Sequence, residues 1–128
     1  MRKPKFKYDD VRTAATIFEK GDYFFSFDLK SAYHHIEIEP DYHKYFGFSW
    51  KNEDNQVVFY VFTCLPFGLC TAPYVFTKVC RVLVRHWRSQ GFKTLMFLDD
   101  GAGSANSMRS SRAIALAVRN DVLNSGFY

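Results

Sequence analysis

Thr94-Leu95-Met96-Phe97-Leu98-Asp99-Asp100-Gly101 is a short apolar run that ends on two adjacent acids and a glycine. A run of this length, bounded by turn residues, predicts a strand over Thr94 to Leu98 and a turn at Asp99-Asp100-Gly101, with a second short strand or loop after it. Earlier in the chain, Tyr23 to Asp28 is aromatic, reads as a strand and also ends on an acid. Two adjacent carboxylates at the end of an apolar strand repel each other unless a cation offsets them. An Asp-Asp-Gly string is also ordinary turn chemistry, because Asp bonds its local backbone and Gly accepts unusual φ values. The surrounding residues decide between the two.

Outward from these runs, Asp9 or Asp10 is placed to cap a short helix reaching Lys20, with Val11, Ala14, Ala15 and Phe18 on one face and Gly21 stopping it. Leu29 to Tyr33 reads as a tight turn or a single helical turn. His35 to Ile38 reads as a strand ended by Pro40. Tyr45 to Trp50 and Val57 to Thr63 flank an all-polar stretch and predict a hairpin. Leu65-Pro66-Phe67-Gly68 is a turn. Thr71 is an N-cap candidate, with Pro73 just inside a helix that reaches about Gln90, carries Val75, Val79, Val82, Leu83 and His86 on one stripe and stops at Gly91. Ser107 or Ser110 opens a last helix, with Ile114, Leu116, Val118, Val122 and Leu123, ending at Asn124. Helices mixed with antiparallel strands predict an α+β domain with helices on one face of a sheet.

The chain has 128 residues, enough for one domain, and nearly half are apolar, which argues against disorder. The 17 basic residues exceed the 13 acidic ones only mildly. That excess permits a polyanionic partner without demanding one. Arg2, Lys3, Lys5 and Lys7 lead the chain, and Arg81, Arg85, His86 and Arg88 cluster later. Cys64, Cys70 and Cys80 show no CxxC spacing and are odd in number, so they read as core residues of a reducing compartment rather than a disulfide framework. No apolar run spans a bilayer and no signal-peptide core follows the basic start, so the expectation is an intracellular protein, in cytoplasm or nucleus, with no membrane partner. His34, His35 and His43 lack a cysteine at a zinc-ligand spacing.

Three strings carry a resemblance. Phe25-Ser26-Phe27-Asp28-Leu29-Lys30-Ser31-Ala32-Tyr33-His34-His35-Ile36 resembles the first acidic motif of retroelement reverse transcriptases. Leu65-Pro66-Phe67-Gly68-Leu69-Cys70-Thr71-Ala72-Pro73-Tyr74-Val75-Phe76 is similar to their LPFGL-x-x-AP-x-x-F segment. Met96-Phe97-Leu98-Asp99-Asp100 resembles the tyrosine-x-Asp-Asp box, with Phe97 where that box usually has Tyr. Order and spacing match as well. Asp99-Asp100-Gly101 and His34-His35 resemble most the gypsy-type group, and beside it DIRS-like elements, of LTR-type and related retrotransposons.

The resemblance implies a right-hand polymerase palm with partial fingers, its antiparallel sheet backed by the helices from Pro73 and Ser107. It implies an RNA-directed DNA polymerase, a nucleotidyltransferase that joins a dNTP to a primer 3′-hydroxyl. Asp28 and Asp99, with Asp100 beside them, would hold two Mg²⁺ ions, or Mn²⁺ in their place. The carbonyl of Leu29 would complete one metal's shell. The N–H groups of Ser31 and Ala32 would meet the triphosphate, Tyr33 would lie under the sugar and exclude a 2′-hydroxyl, Phe67 and Gly68 would pack near the nucleotide, and Leu98 near the primer end. The partners implied are a template-primer, RNA or DNA, and a dNTP. The ends read as cut, so residues 1–128 are expected to be a palm and fingers fragment without its thumb, inactive or weakly active alone. Two rivals stand beside this reading. One is a non-catalytic relic that retains nucleic-acid binding, against which the intact acids count. The other is a different palm enzyme such as a nucleotide cyclase, which the Leu65-Pro66-Phe67-Gly68 segment disfavours.

Overall fold

The computed structural model describes residues 7–127; Arg2, Lys3 and Lys5 of the basic lead-in and Tyr128 at the other end lie outside the described residues. The element order is α1 (Val11–Ile17), β1 (Tyr23–Asp28), two 3₁₀ turns (Ala32–His35 and Pro40–Tyr45), β2 (Gly47–Lys51), β3 (Val57–Val61), α2 (Ala72–Ser89), β4 (Lys93–Phe97), β5 (Asp100–Ala105) and α3 (Met108–Asn124). Strands β1, β5 and β4 form an antiparallel sheet with β5 in the middle, and β2 and β3 form a separate hairpin. The fold is α+β, as the sequence predicts.

The central strand is the least strand-like by composition. Asp100 to Ala105 reads Asp-Gly-Ala-Gly-Ser-Ala, with no branched or aromatic side chain. Its neighbour supplies the missing bulk. A Cβ on Gly101 would lie 2.1 Å from Cζ of Phe27, and one on Gly103 2.2 Å from Cζ of Phe25. The two rings therefore lie directly across the bare glycine backbone. Phe27 in turn meets the fully buried Trp87 of α2 edge-on, at 5.8 Å between centroids. Helices α2 and α3 cover this face, with Phe76, Trp87, Val118 and Val122 buried there. Side chains alternate along a strand, so Asp28 and Asp100 point to the face away from the helices.

Asp22 pins the far end of the sheet. Its carboxylate accepts hydrogen bonds from Ser104 Oγ at 2.9 Å, Lys93 Nζ at 3.1 Å and the Glu19 N–H at 3.1 Å. It thus ties β4 and β5 to the turn that leads into β1.

Several expectations need correction. Helix α1 ends at Ile17, not Lys20, and buries no residue; Asp10 caps it in a reciprocal pair with Thr13, while Val11 is exposed. Phe18 leaves the helix to meet Phe24 edge-on. The buried stripe of α2 is Ala72, Phe76, Cys80, Val84 and Trp87, rather than the line through Val79, Val82 and His86. Phe76 and Trp87 displace most volume, and the helix turns to bury them, leaving Val82 70% exposed and Val75 and Leu83 on the flanks. Thr71 occupies the N-cap of α2 but makes no side-chain cap bond. On α3 the cap is Ser107, Val118 and Val122 are buried, and Leu116 and Leu123 are exposed.

The strand expected over His35 to Ile38 shrinks to one bridge, Glu37 with Cys64, because the 3₁₀ turns on either side leave little extended chain. In the aromatic β1, Tyr23 and Phe24 are exposed and only Phe25 and Phe27 pack on the core. The cysteines are free, but Cys70 is exposed and only Cys80 is buried.

Candidate active site

The β4–β5 hairpin closes through two residues, since Phe97 pairs with Asp100 and only Leu98 and Asp99 lie between. Asp100 is therefore the first residue of β5 rather than a turn residue. Leu98 adopts φ 53°. Two-residue hairpins favour such left-handed residues because their twist matches that of the strands. For a residue with a Cβ this conformation costs on the order of 1–2 kcal/mol, and Leu98 bears it while its side chain packs against the core.

The turn brings the acids together. Asp28 pairs with Asp100 across β1 and β5. One rung further on, the Leu29 N–H donates to the Asp99 carbonyl at 2.9 Å. One carboxylate oxygen from each of Asp28, Asp99 and Asp100 lies within 4.8 Å of the others, and all three residues are exposed. Three like charges at this range repel, and no basic side chain forms an ion pair with them among the described residues. Oxygen donors on an open face suit a hard divalent cation that keeps coordination positions for phosphate.

Next to the acids lies an aromatic wall. Leu29, Ala32 and Tyr33 are buried. The Tyr33 ring packs on Phe67 at 4.9 Å and on Phe76 at 5.2 Å between centroids. Phe67 is two-thirds exposed and also meets His34 edge-on. Gly68 follows at φ 83°, a value that favours glycine. Burial raises the Tyr33 hydroxyl above the usual tyrosine pKa, with Tyr8 and Asp99 adding to it. Leu29, which shares the buried cluster with Tyr33, is bonded through its N–H to the Asp99 carbonyl, so the ring wall and the acids share one region. Ser31 is left-handed, φ 52°, and directly precedes the helical Ala32. His35 and His43 turn ring nitrogens to the carbonyls of Ser31 and Ile38.

Two residues here have roles that were not read from the sequence, Asp9 having been named only as a candidate cap. Tyr8 packs at a tilt against Phe97, two residues before Asp99, at 5.0 Å between centroids. Asp9 braces the outer edge of β4, accepting from the Met96 N–H at 3.2 Å and from Arg88 Nη2 at 2.9 Å. The signal was the doubled Asp9-Asp10. Only Asp10 is needed as a cap, which leaves Asp9 free for another task.

Comparison with known proteins agrees with this geometry. The family model described as reverse transcriptase (RNA-dependent DNA polymerase) matches residues 1–128. The chain belongs to the reverse transcriptase family. The family is one of RNA-dependent DNA polymerases, and its members generally use divalent metals, for which the acid cluster here supplies a suitable donor set. This reverse transcriptase chain is also similar to the Pol polyproteins of equine infectious anemia virus isolates 1369 and CL22, each 26% identical over 105 residues. The match covers 78% of the chain and 9% of either polyprotein, so the chain spans under a tenth of the length of these curated relatives. No helix among the described residues is long and apolar enough to cross a membrane.

Proposed function

We propose that the chain carries the polymerising centre of a reverse transcriptase, with partial fingers and the palm of a right-hand polymerase, and that it joins dNTPs to a primer 3′-hydroxyl on RNA or DNA templates. The observation that carries this is the meeting of Asp28, Asp99 and Asp100 within 4.8 Å at the open end of the sheet. Asp28 and Asp99, with Asp100 beside them and the Leu29 carbonyl assisting, would hold two Mg²⁺ ions. When bound, such ions activate an attacking hydroxyl and stabilise a leaving phosphate oxygen.

The chain's own residues contribute position. Ser31, left-handed before a helical Ala32, forms the type of concave backbone turn whose successive N–H groups receive anions, here the triphosphate. Tyr33, held by Phe67 and Phe76, forms a floor under the sugar that excludes a 2′-hydroxyl by contact. Phe67 and Gly68 lie against the nucleotide. Leu98, fixed in its strained turn, sits where the primer end must approach the acids. Holding hydroxyl and phosphate in line supplies most of what the protein adds. The gypsy-type or DIRS-like affinity, supported by the strings at His34-His35 and Asp99-Asp100-Gly101, and an intracellular site of action, supported by the free cysteines, belong to the same proposal.

The test is Mn²⁺ binding by the chain, followed by electron paramagnetic resonance, beside Mg²⁺-dependent primer extension in a full-length context. Binding lost in Asp99→Asn, together with lost extension, supports the reading. Near-normal extension by Asp99→Asn overturns it.

A further inference from the structure

A second region of the molecule is built from charge of the opposite sign. A pocket of about 330 Å³ opens between the outer edge of β4, helix α2 and the segment from Lys7 to Thr13. Lys7, Arg81, Arg85 and Arg88 line it, against Asp9 as the single acid among the described residues. Two of the arginines are fixed by the protein. Arg88 donates to Asp9 and, through Nε, to the Thr94 carbonyl at 3.0 Å, and Arg81 donates to the Lys7 carbonyl. Arg85, between them, has no hydrogen-bond or ion-pair partner among the described residues. Thr77 lines the same pocket, and its Oγ1 is buried with no hydrogen-bond partner. An unsatisfied buried hydroxyl is costly unless an acceptor reaches it.

Thr77, Arg81, Arg85 and Arg88 recur at three- and four-residue intervals, so they form one stripe along α2. At 1.5 Å per residue the stripe is about 16 Å long. That exceeds what a single phosphate needs and suits a chain of them, as in basic grooves that follow a nucleic-acid backbone. Leu98 lines the pocket too, so its boundary adjoins Asp99.

We propose that this pocket is a backbone-tracking groove: it holds phosphates of the bound nucleic-acid strand beside the acid cluster, with Arg85 and the Thr77 hydroxyl donating to phosphate oxygens. The identity of the strand rests on the polymerase reading above; the anion chemistry does not. Arg85→Gln and Thr77→Val are the informative variants, since neither side chain holds another part of the described structure. The full 128-residue chain is titrated with fluorescent duplex DNA in EDTA, so that metal binding at the acids plays no part. Inorganic phosphate serves as the competing probe, and circular dichroism checks folding.

Arg85→Gln should weaken binding about tenfold, as expected for a lost charge-assisted contact, and make the log–log salt slope shallower by about 0.9. Arg85→Lys should restore the slope. Thr77→Val should weaken binding severalfold without changing the slope. The proposal is overturned if folded Arg85→Gln and Thr77→Val bind as the parent does, or if the parent binds no DNA in EDTA. It is also overturned if millimolar inorganic phosphate displaces DNA completely, because the site would then take a lone anion. Loss of Mn²⁺ binding in Asp99→Asn tests the catalytic reading separately, and either reading can fail without the other.

Discussion

Asp28 and Asp100 are register partners on adjacent antiparallel strands, and the Leu29 amide ties the next rung to the Asp99 carbonyl. The acid cluster is therefore set by backbone pairing rather than by side-chain bonds, and among the described residues no cation pairs with its opposing charges. We expect Asp28→Asn or Asp99→Asn to reduce primer extension at least about a hundredfold, the scale of a lost transition-state contact. In EDTA the same variants should raise Tm. Mg²⁺ should raise the parent's Tm and leave that of the variants nearly unchanged. A parent whose Tm ignores Mg²⁺ would contradict this.

Gly101→Ala tests the ring-on-glycine packing. Its new methyl would fall 2.1 Å from Phe27 Cζ, so the ring must move against Trp87. We expect a loss of about 1–3 kcal/mol in urea unfolding, the range for overpacked sites. An unchanged midpoint would mean that the ring shifts freely.

Tyr33 is buried against two phenylalanines, so its ring, not its hydroxyl, should set sugar choice. Tyr33→Ala should admit ribonucleotides, while Tyr33→Phe should retain discrimination. The rNTP to dNTP incorporation ratio decides; equal ratios in parent and Tyr33→Ala would remove the floor from the site.

Acid stability should depend on Asp22. The Glu19 N–H, helped by Lys93 and Ser104, holds its carboxyl below the usual aspartate value. A lowered folded pKa means stability that is present above the unfolded value, about 3.9, and is lost as pH falls through the lower folded one. Asp22→Asn should flatten the stability profile below about pH 4. The opposite limb belongs to Lys93, which Asp22 pushes upward. Its contribution is full below the unfolded lysine value and disappears as pH rises through the higher folded one.

The three thiols should differ in reactivity. Burial pushes Cys80 up to about 12, while Cys70 is exposed and Cys64 half-buried. Iodoacetamide at pH 8 should label Cys70 first and Cys80 only after unfolding, read by mass spectrometry. Early labelling of Cys80 would show that α2 opens.

Much of this was legible in the sequence because the decisive signals are local. The strands starting near Tyr23 and Thr94 and the hairpin around Asn52 to Gln56 follow from nearest-neighbour chemistry, whereas the three acids stood out only through the resemblance of the strings around them. The orientation of α2 was not. Valines at helical spacing mark a plausible stripe, but Phe76 and Trp87 outweigh them, and only the packed structure shows which face wins. Strand β5 looked equally like a loop because its stabilising atoms belong to Phe25 and Phe27 on another strand. Asp9 and Asp22 were hidden for a related reason, since their partners Met96, Arg88, Lys93 and Ser104 lie 71 to 87 residues away.

Gly103 and Phe25 carry one further implication. The methyl that Gly103 lacks and the ring that Phe25 extends claim the same volume, with 2.2 Å between them. Neither position has a fixed tolerance of its own: what is permitted at one is decided by the occupant of the other. Gly103→Ala should be damaging beside Phe25 and mild beside a trimmed Phe25→Val, whereas Phe25→Val beside Gly103 leaves a void. Along a lineage of such chains the two sites would have to drift as a pair, by way of a less stable single-change ancestor. Mutational scans read one position at a time would thus misjudge both.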